Sequence, residues 1–251
     1  MSGQGHTVSR LAGDLVSLGV EADDVLFVHS SFKSIGDIPG GAETVITALG
    51  KAVGSDGLLL LPSFNLDGGR DERALSWDPG HTPSSVGWLT EYFRQMPDTF
   101  RSDHYSHSVA ARGRGARSFV ADHHSDRGMD SPWDRRPWGK TYGADSPMIR
   151  AYERGGKILM IGVDYHTSTY CHVVEVVYWD ERRKRDPEAE YVWLDRDRLG
   201  QYWEADGTLL RGTFGDANCR LFGIREFVDG LLETVRSNPD VYDRVKLNAG
   251  T

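Results

Sequence analysis

The stretch that decides the fold runs from Val25 to Glu43 and reads VLFVHSSFKSIGDIPGGAE. Its first part, Val25–His29, is an apolar run that predicts a short buried strand, and it leads into a turn rich in serine and glycine. The following residues, Ala42–Val53, carry apolar side chains with the 3.6-residue period of a helix. Free amides at a helix N-terminus attract phosphate oxygens or other anions, so this strand–turn–helix unit could bind an anionic ligand. Taken alone, such a unit is more often only a packing unit.

Outward from this stretch, strands and helices alternate along most of the chain. Continuous apolar runs predict strands at Gly57–Phe64, Ser106–Gly113 and Lys157–Val163. Periodic or capped segments predict helices over 9–19, 83–96, 116–123, 146–156, 169–182 and 223–237. This alternation favours a layered α/β sandwich.

The remaining segments are predicted to be loops or exposed strands. Asn65–His81 and Ser125–Ala144 are long and polar, which is typical of functional loops. Tyr191–Leu194 and Gln201–Ala205 alternate like exposed strands, and Asp206-Gly207 is a hairpin signal.

Composition limits the classes of function. The chain has 251 residues and a formal net charge of −8, which argues against a nucleic-acid partner. That charge is compatible with a cationic substrate, although a solubility role explains it equally well. No apolar run approaches the ~20 residues of a membrane helix, and the first residues lack the apolar core of a signal peptide. With two cysteines and no linker composition, we expect one cytoplasmic domain over residues 1–251 without a membrane partner.

Several motifs give the chain a resemblance to a known family. In order after the first loop they are residues 60–64 (LLPSF), 82–87 (TPSSVG), 101–111 (RSDHYSHSVAA), 155–163 (GGKILMIGV), 167–175 (TSTYCHVVE) and 219–222 (CRLF). Their number and order resemble the aminoglycoside 3-N-acetyltransferase family over roughly Leu11–Val235. Each motif is weak alone, and the resemblance comes from the ordered series.

The resemblance implies both a fold and an activity. The fold would be a layered α/β/α sandwich around a central mixed sheet. The activity would be transfer of acetyl from acetyl-CoA to the 3-amino group of the 2-deoxystreptamine ring of an aminoglycoside, in a monomer or homodimer. Two alternatives stay open: an N-acyltransferase that acts on another amine in natural-product biosynthesis, and a non-catalytic sugar-binding module.

Acetyl transfer to an amine requires a base, and His172 is the best candidate. It lies near the start of the helix predicted after the strand Lys157–Val163, and Glu175 at i+3 shares its helix face. A carboxylate bonded to one imidazole nitrogen fixes the tautomer and raises the basicity of the other nitrogen. From the residues alone a core histidine is the simpler interpretation. The resemblance implies the general base.

A second carboxylate is implied by the resemblance alone. In the family, an acid from the segment before the final helix also approaches the histidine, and Asp216 is the matching residue here. Whether Glu175 or Asp216 orients the base stays open at this point.

Binding residues also follow from the resemblance. The coenzyme site would use Ser31, Lys33, Ser34, Ile35, Gly36, Gly40, Gly41, Ser106, His107 and Ser108. Acids of the long loop, Asp67, Asp71 and Glu72, would bind the aminoglycoside. The segment Ser125–Lys140 looks longer than its family counterpart, and Arg135 and Arg136 would repel a polycation if they faced the cleft. None of the histidine and cysteine spacings matches a closed zinc site, so we expect no metal.

Overall fold

A computed structural model describes residues 5–245, and within them seven strands form one mixed sheet. The strands are β1 (Val25–Ser30), β2 (Leu58–Pro62), β3 (Thr99–Arg101), β4 (Val109–Gly113), β5 (Lys157–Ile161), β6 (Leu210–Phe214) and β7 (Ala217–Gly223). Their order is β3-β4-β2-β1-β5-β7-β6. Strand β1 runs parallel to β2 and β5, and the outer pairs are antiparallel.

Ten α-helices surround this sheet in the described residues. They are α1 (Val8–Leu18), α2 (Gly41–Val53), α3 (Arg70–Ser76), α4 (Trp88–Gln95), α5 (Ala116–Val120), α6 (Pro147–Glu153), α7 (Tyr170–Arg183), α8 (Arg196–Asp206), α9 (Ile224–Ser237) and α10 (Pro239–Tyr242). Short 3₁₀ helices follow β1 and β5 at Phe32–Ile35 and Tyr165–Thr167. Over residues 5–245, none of the helices is long and apolar enough to span a membrane.

The sheet separates two hydrophobic cores. Along β1, Leu26 and Val28 pack with α1, α2 and α4 on one face, whereas Phe27 packs with α5 to α9 on the other. Successive strand side chains point to opposite faces, so a fully buried strand needs apolar residues throughout. The predicted α/β/α sandwich around a mixed sheet is therefore confirmed.

The central parallel strands bring two loops together at one sheet edge. The carboxyl ends of β1 and β5 are neighbours, and the Ser31 amide donates a 2.9 Å hydrogen bond to the Ile161 carbonyl. At Gly162, where φ is +61°, a Cβ would lie 1.9 Å from the Ser34 hydroxyl. Only glycine permits this close approach of the β5 end to the loop after β1. Clefts at such strand ends are the usual place for ligands in α/β sheets.

The structure differs from the sequence prediction mainly in the last third of the chain. The predicted strand Gln201–Ala205 lies within helix α8, and the hairpin turn falls at Gly215-Asp216 rather than Asp206-Gly207. The alternation over 201–205 was misleading because Leu199 and Trp203, one helical turn apart, are the buried residues. Tyr191–Leu194 forms only an isolated bridge between Leu194 and Asp243.

Two other boundaries also differ. The predicted loop Asn65–His81 contains α3, and the helix expected from Pro83 begins at Trp88. The Glu91 carboxylate accepts a 2.6 Å hydrogen bond from the Ser84 amide, which ties the preceding turn to α4. Strand β3, three residues at the sheet edge, was not predicted because it is too short to show a period.

Candidate active site

A cavity of about 390 Å³ opens where the ends of β1 and β5 meet α7. Its polar lining comes from the end of β1, from the segment before β4 and from the start of α7. These contributions include Ser30, Ser106, His107, Thr169 and His172. Residues far apart in the chain therefore converge at one sheet edge, as the topology requires.

A histidine–carboxylate pair lies in the wall of this cavity. The Nδ1 atom of His172 is 2.6 Å from Oε2 of Glu175, one turn further along α7. Glu175 is 1% exposed and also accepts hydrogen bonds from the Tyr191 hydroxyl (3.1 Å) and the Leu194 amide (3.0 Å). Three donors on one buried carboxylate satisfy the anion, so Glu175 can hold the proton of His172 on Nδ1.

With its proton on Nδ1, the imidazole has a lone pair on Nε2. That nitrogen is 2.5 Å from a guanidinium nitrogen of Arg196, which donates to it, and the other guanidinium arm donates to the His166 carbonyl at 2.8 Å. Burial and the positive charge of Arg196 lower the pKa of His172, against the opposing effect of Glu175. The imidazole is thus neutral near pH 7, which is the state a general base requires.

Aromatic rings surround this pair. Trp133 packs edge-on against His172 with ring centroids 4.6 Å apart, and His107 does so at 5.5 Å. Burial and the neighbouring His172 lower the pKa of His107 well below its ordinary value, so this ring is neutral as well. Trp193 also lines the cavity, with its ring centroid 6.4 Å from that of His172 and 5.7 Å from that of Trp133. These rings shield the imidazole from water.

Asp216 does not reach His172, which corrects the prediction that it could orient the base. It lies in the turn between β6 and β7, where its carboxylate accepts a 3.0 Å hydrogen bond from His6 Nε2 and its side chain is 67% exposed. Its backbone amide donates to the Ile35 carbonyl at 3.0 Å. Asp216 therefore braces the loop after β1 from outside, because the β6–β7 turn packs beside that loop rather than beside α7.

The predicted coenzyme residues fall into two groups. Ser106 and His107 line the cavity, and the Ser106 hydroxyl lies 2.8 Å from His107 Nδ1. The others form the loop after β1 and the start of α2, beyond the lining of the cavity: Ser31, Lys33, Ser34, Ile35, Gly36, Gly40 and Gly41. Their contact with a coenzyme stays a prediction.

Two side chains of that set are occupied by packing. Ile35 is fully buried in the core, and its carbonyl accepts a hydrogen bond from the Asp216 amide. Ser108 is fully buried and donates to the Ser63 carbonyl at 2.8 Å, which holds β4 against the end of β2. The Ser108 side chain is therefore structural, and the prediction is corrected for it, whereas a contact between the Ile35 backbone and a coenzyme stays a prediction.

The predicted acids lie outside the cavity that contains His172. Asp67 and Glu72 line a separate cavity of about 480 Å³, and Asp71 forms an ion pair with Arg135 on the surface. Glu72 accepts a 3.3 Å hydrogen bond from the Gly69 amide at the start of α3. Arg73 lines both cavities, so a guanidinium group stands where the two adjoin.

Sequence reasoning missed several cavity residues. Arg196 and Arg73 were not considered, and Trp133 lies in the predicted loop Ser125–Ala144, where it received no role. His29 was predicted only as the end of the strand Val25–His29, yet it lines the cavity with a buried Nε2 that has no hydrogen-bond partner among the described residues. Burial and the charge of Arg196 lower the pKa of His29 to about 3. Only His29 had a local signal, since it ends the apolar run before the serine-rich turn.

Other chemistry has little support in the described residues. Across 5–245, no three histidine, cysteine or acidic side chains converge as a metal site would require. Both cysteines are buried, and burial raises the pKa of Cys171 and of Cys219 to about 12. A thiol in that state is a poor nucleophile.

A histidine with a buried carboxylate behind it, set in a cavity at the sheet edge, is an arrangement that can accept a proton during group transfer. Comparison with known proteins identifies the family. The sequence profile of aminoglycoside 3-N-acetyltransferases matches residues 27–236, and the chain belongs to this family. It is therefore an acyltransferase of the aminoglycoside N(3)-acetyltransferase type.

Individual relatives agree with this assignment. Aminoglycoside N(3)-acetyltransferase VII of Streptomyces paromomycinus is 28% identical, covering 89% of each chain. The prophage-derived aminoglycoside N(3')-acetyltransferase-like protein YokD of Bacillus subtilis is 29% identical, covering 89% of this chain and 90% of its own. The structure of AAC-IIIb with CoASH has the same fold, with a TM-score of 0.73 at 23% identity, over 92% of this chain and 97% of that one.

Proposed function

We propose that this enzyme transfers the acetyl group of acetyl-CoA directly to a primary amine, with His172 as the general base. The observation that carries the proposal is the 2.6 Å hydrogen bond between His172 and Glu175 inside the cavity. Family membership and the CoASH complex of a structural neighbour support acetyl-CoA as the donor.

In the proposed reaction, His172 Nε2 takes a proton from the amine as its nitrogen attacks the thioester carbonyl. A carbon–nitrogen bond forms, and the carbon–sulfur bond then breaks as the proton is delivered to the departing coenzyme A sulfur. Glu175 stays ionised throughout, keeps the proton of the imidazole on Nδ1 and stabilises the imidazolium that forms. The products are the N-acetylated amine and coenzyme A, whose thiol carries the proton that the amine lost.

The carbonyl oxygen becomes negatively charged during attack and needs hydrogen-bond donors. Ser30 and Ser168 line the cavity, and the buried Ser30 hydroxyl has no hydrogen-bond partner among the described residues. We propose that the Ser30 hydroxyl serves the thioester end of the coenzyme. Buried polar groups are normally paired, so a free hydroxyl in the cavity favours a ligand that completes it.

The loop after β1 is the proposed site of the coenzyme phosphates. Lys33 is exposed and forms no ion pair with any described residue. Gly40 and Gly41 have φ values of +83° and +62°, and a Cβ at Gly41 would meet nothing within 4 Å. An open helix start with a free lysine beside it is favourable for a diphosphate.

Two acceptors remain, and the structure favours one. The names of the relatives imply an aminoglycoside acetylated at N3, which the family resemblance places on the 2-deoxystreptamine ring. The charged side chains that line the cavity, however, include Arg73 and Arg196 and, in the part of the chain that the structure describes, no carboxylate. That lining favours the alternative that the amine comes from another class of small molecule.

The test is acetyl-CoA-dependent thiol release with a panel of amines, in the wild type and in His172→Ala. We expect the substitution to lower kcat by at least ~10² and to leave the calorimetric affinity for acetyl-CoA nearly unchanged. His124→Ala, which removes an exposed histidine outside the cavity lining, is the matched control and should leave kcat unchanged. Near wild-type turnover in His172→Ala would require a different base.

A further inference from the structure

We propose that the amine acceptor carries an anionic group, a carboxylate or a phosphate, and that the guanidinium groups of Arg73 and Arg196 bind it. This inference rests on the proposed acetyl transfer and specifies the class of its second substrate. It differs from the polycationic substrate that the family name implies.

The cavity that contains His172 is lined by positive charge. Its lining includes two guanidinium groups and, among the described residues, no carboxylate. Glu175 lies behind His172, 1% exposed, and its oxygens already accept from His172, Tyr191 and Leu194. A polycation would therefore meet positive charge and no free carboxylate beside the reacting atoms.

Both guanidinium groups also lack a counter-ion among the described residues. Within residues 5–245, neither Arg73 nor Arg196 is within 4.0 Å of a carboxylate, whereas other arginines, such as Arg127 and Arg150, are paired with one. Arg73 has a buried Nε without a partner, and its one hydrogen bond, to the Asn65 carbonyl, is 3.4 Å long. Arginine offers five donors in a fork that matches an oxyanion, so the unused donors of Arg73 point to an anionic ligand.

Arg196 would connect the anionic group of the acceptor to the base, His172. Arg196 donates to His172 Nε2 at 2.5 Å, so the nitrogen that must take the proton is covered in the free enzyme. A carboxylate or phosphate is a stronger partner for a guanidinium than a neutral imidazole nitrogen. An anionic acceptor would draw Arg196 away and uncover Nε2, so the same contact would bind the substrate and release the base.

The walls limit the rest of the molecule. Phe64, Trp133 and Trp193 line the cavity, which at about 390 Å³ must also admit the acetyl end of the coenzyme. This leaves room for a small acceptor with a flat or apolar body. The acids Asp67 and Glu72 face the neighbouring cavity, on the other side of Arg73.

Calorimetric titration with two isosteric amines tests the proposal. The probes are 4-(aminomethyl)benzoate and its neutral amide, with sisomicin as the polycation, each titrated into the free protein and into protein saturated with coenzyme A. We expect the carboxylate to bind at least tenfold more tightly than the amide in both states. Arg73→Gln should reduce that ratio to within about twofold, whereas Arg114→Gln, which removes a surface arginine paired with Asp56, should leave it unchanged.

Equal binding of the two probes, or tighter binding of sisomicin than of the benzoate, would overturn the proposal. So would a preference that vanishes when coenzyme A is bound, because the arginines would then serve the coenzyme. Failure of coenzyme A itself to bind would defeat the proposed acetyl transfer instead, and the probe ratio on the free protein would still report on the arginines. A thermal melt of Arg73→Gln establishes that the variant is folded.

Discussion

Glu175 and Asp216 were both candidates for orienting the base, and the structure places them in very different surroundings. Glu175 is 1% exposed and accepts three hydrogen bonds, whereas the Asp216 side chain is 67% exposed and has one partner, His6. Glu175 lies on the same helix as His172, and Asp216 lies in a turn beside the loop after β1. The two acids thus differ in burial and in the number of hydrogen-bond donors. These two properties distinguish Glu175, which we propose orients His172, from Asp216, which contacts the loop after β1.

Among the variants of these residues, Glu175→Gln should cause the largest loss of activity and stability. Loss of the charge removes the partner that holds the proton on Nδ1, and we expect kcat to fall by about 10–10². The free energy of unfolding of the protein should also fall by about 1–3 kcal/mol, because one of the three buried donors then has no acceptor. Steady-state kinetics and chemical denaturation measure both losses.

The exposed Glu188→Gln is the matched control for that variant and should alter neither quantity. If Glu175→Gln keeps full activity, then the carboxylate is only a structural partner of Tyr191 and Leu194.

Arg196→Gln should shift the pH dependence of kcat/KM, which reports on the proposed base, His172. Arg196 lowers the pKa of His172, so its removal raises that pKa, and the acid limb of kcat/KM should move to higher pH. Activity depends on neutral His172 and is therefore lost at a higher pH in the variant than in the wild type. Arg196→Lys retains the charge and should leave the limb nearer its original position; an unmoved limb in Arg196→Gln would mean that Arg196 does not act on the base.

Asp216→Asn should have the smallest effect. Because the side chain is exposed and braces a loop, we expect kcat to change by less than about twofold and the KM for acetyl-CoA to rise by less than about threefold. His6→Gln removes the other half of the same contact and should reproduce these values. A loss in Asp216→Asn as large as that in Glu175→Gln would restore Asp216 as the orienting acid.

The sequence predicted those parts of the site that depend on local spacing. His172 and Glu175 are three residues apart on one helix, so their meeting follows from helical geometry alone. The layered α/β sandwich was also predicted, since apolar strands and periodic helices alternate along the chain, whereas the mixed sheet was implied only by the family resemblance. These features need no knowledge of how distant segments pack.

The parts that were missed depend on distant packing. Arg196 lies 24 residues from His172 in the sequence and is the first residue of α8. Strands were predicted on either side of it, so this helix was not predicted. Trp133 reaches the cavity because ion pairs fold its loop, including Lys140 with Asp130 and Asp134. Residue types in that loop indicate polarity, but its path across the cavity follows only from the assembled structure.

The most direct test of the central claim is ¹⁵N NMR of the histidine side chains, combined with the pH dependence of kcat/KM. The signals of His172 are assigned by their loss in His172→Gln. We predict a neutral ring at pH 7 with the proton on Nδ1, and a pKa below the usual 6.5 that coincides with the kinetic one. A His172 that is protonated at pH 7, or that titrates at a pH where the rate does not change, would contradict its role as the base.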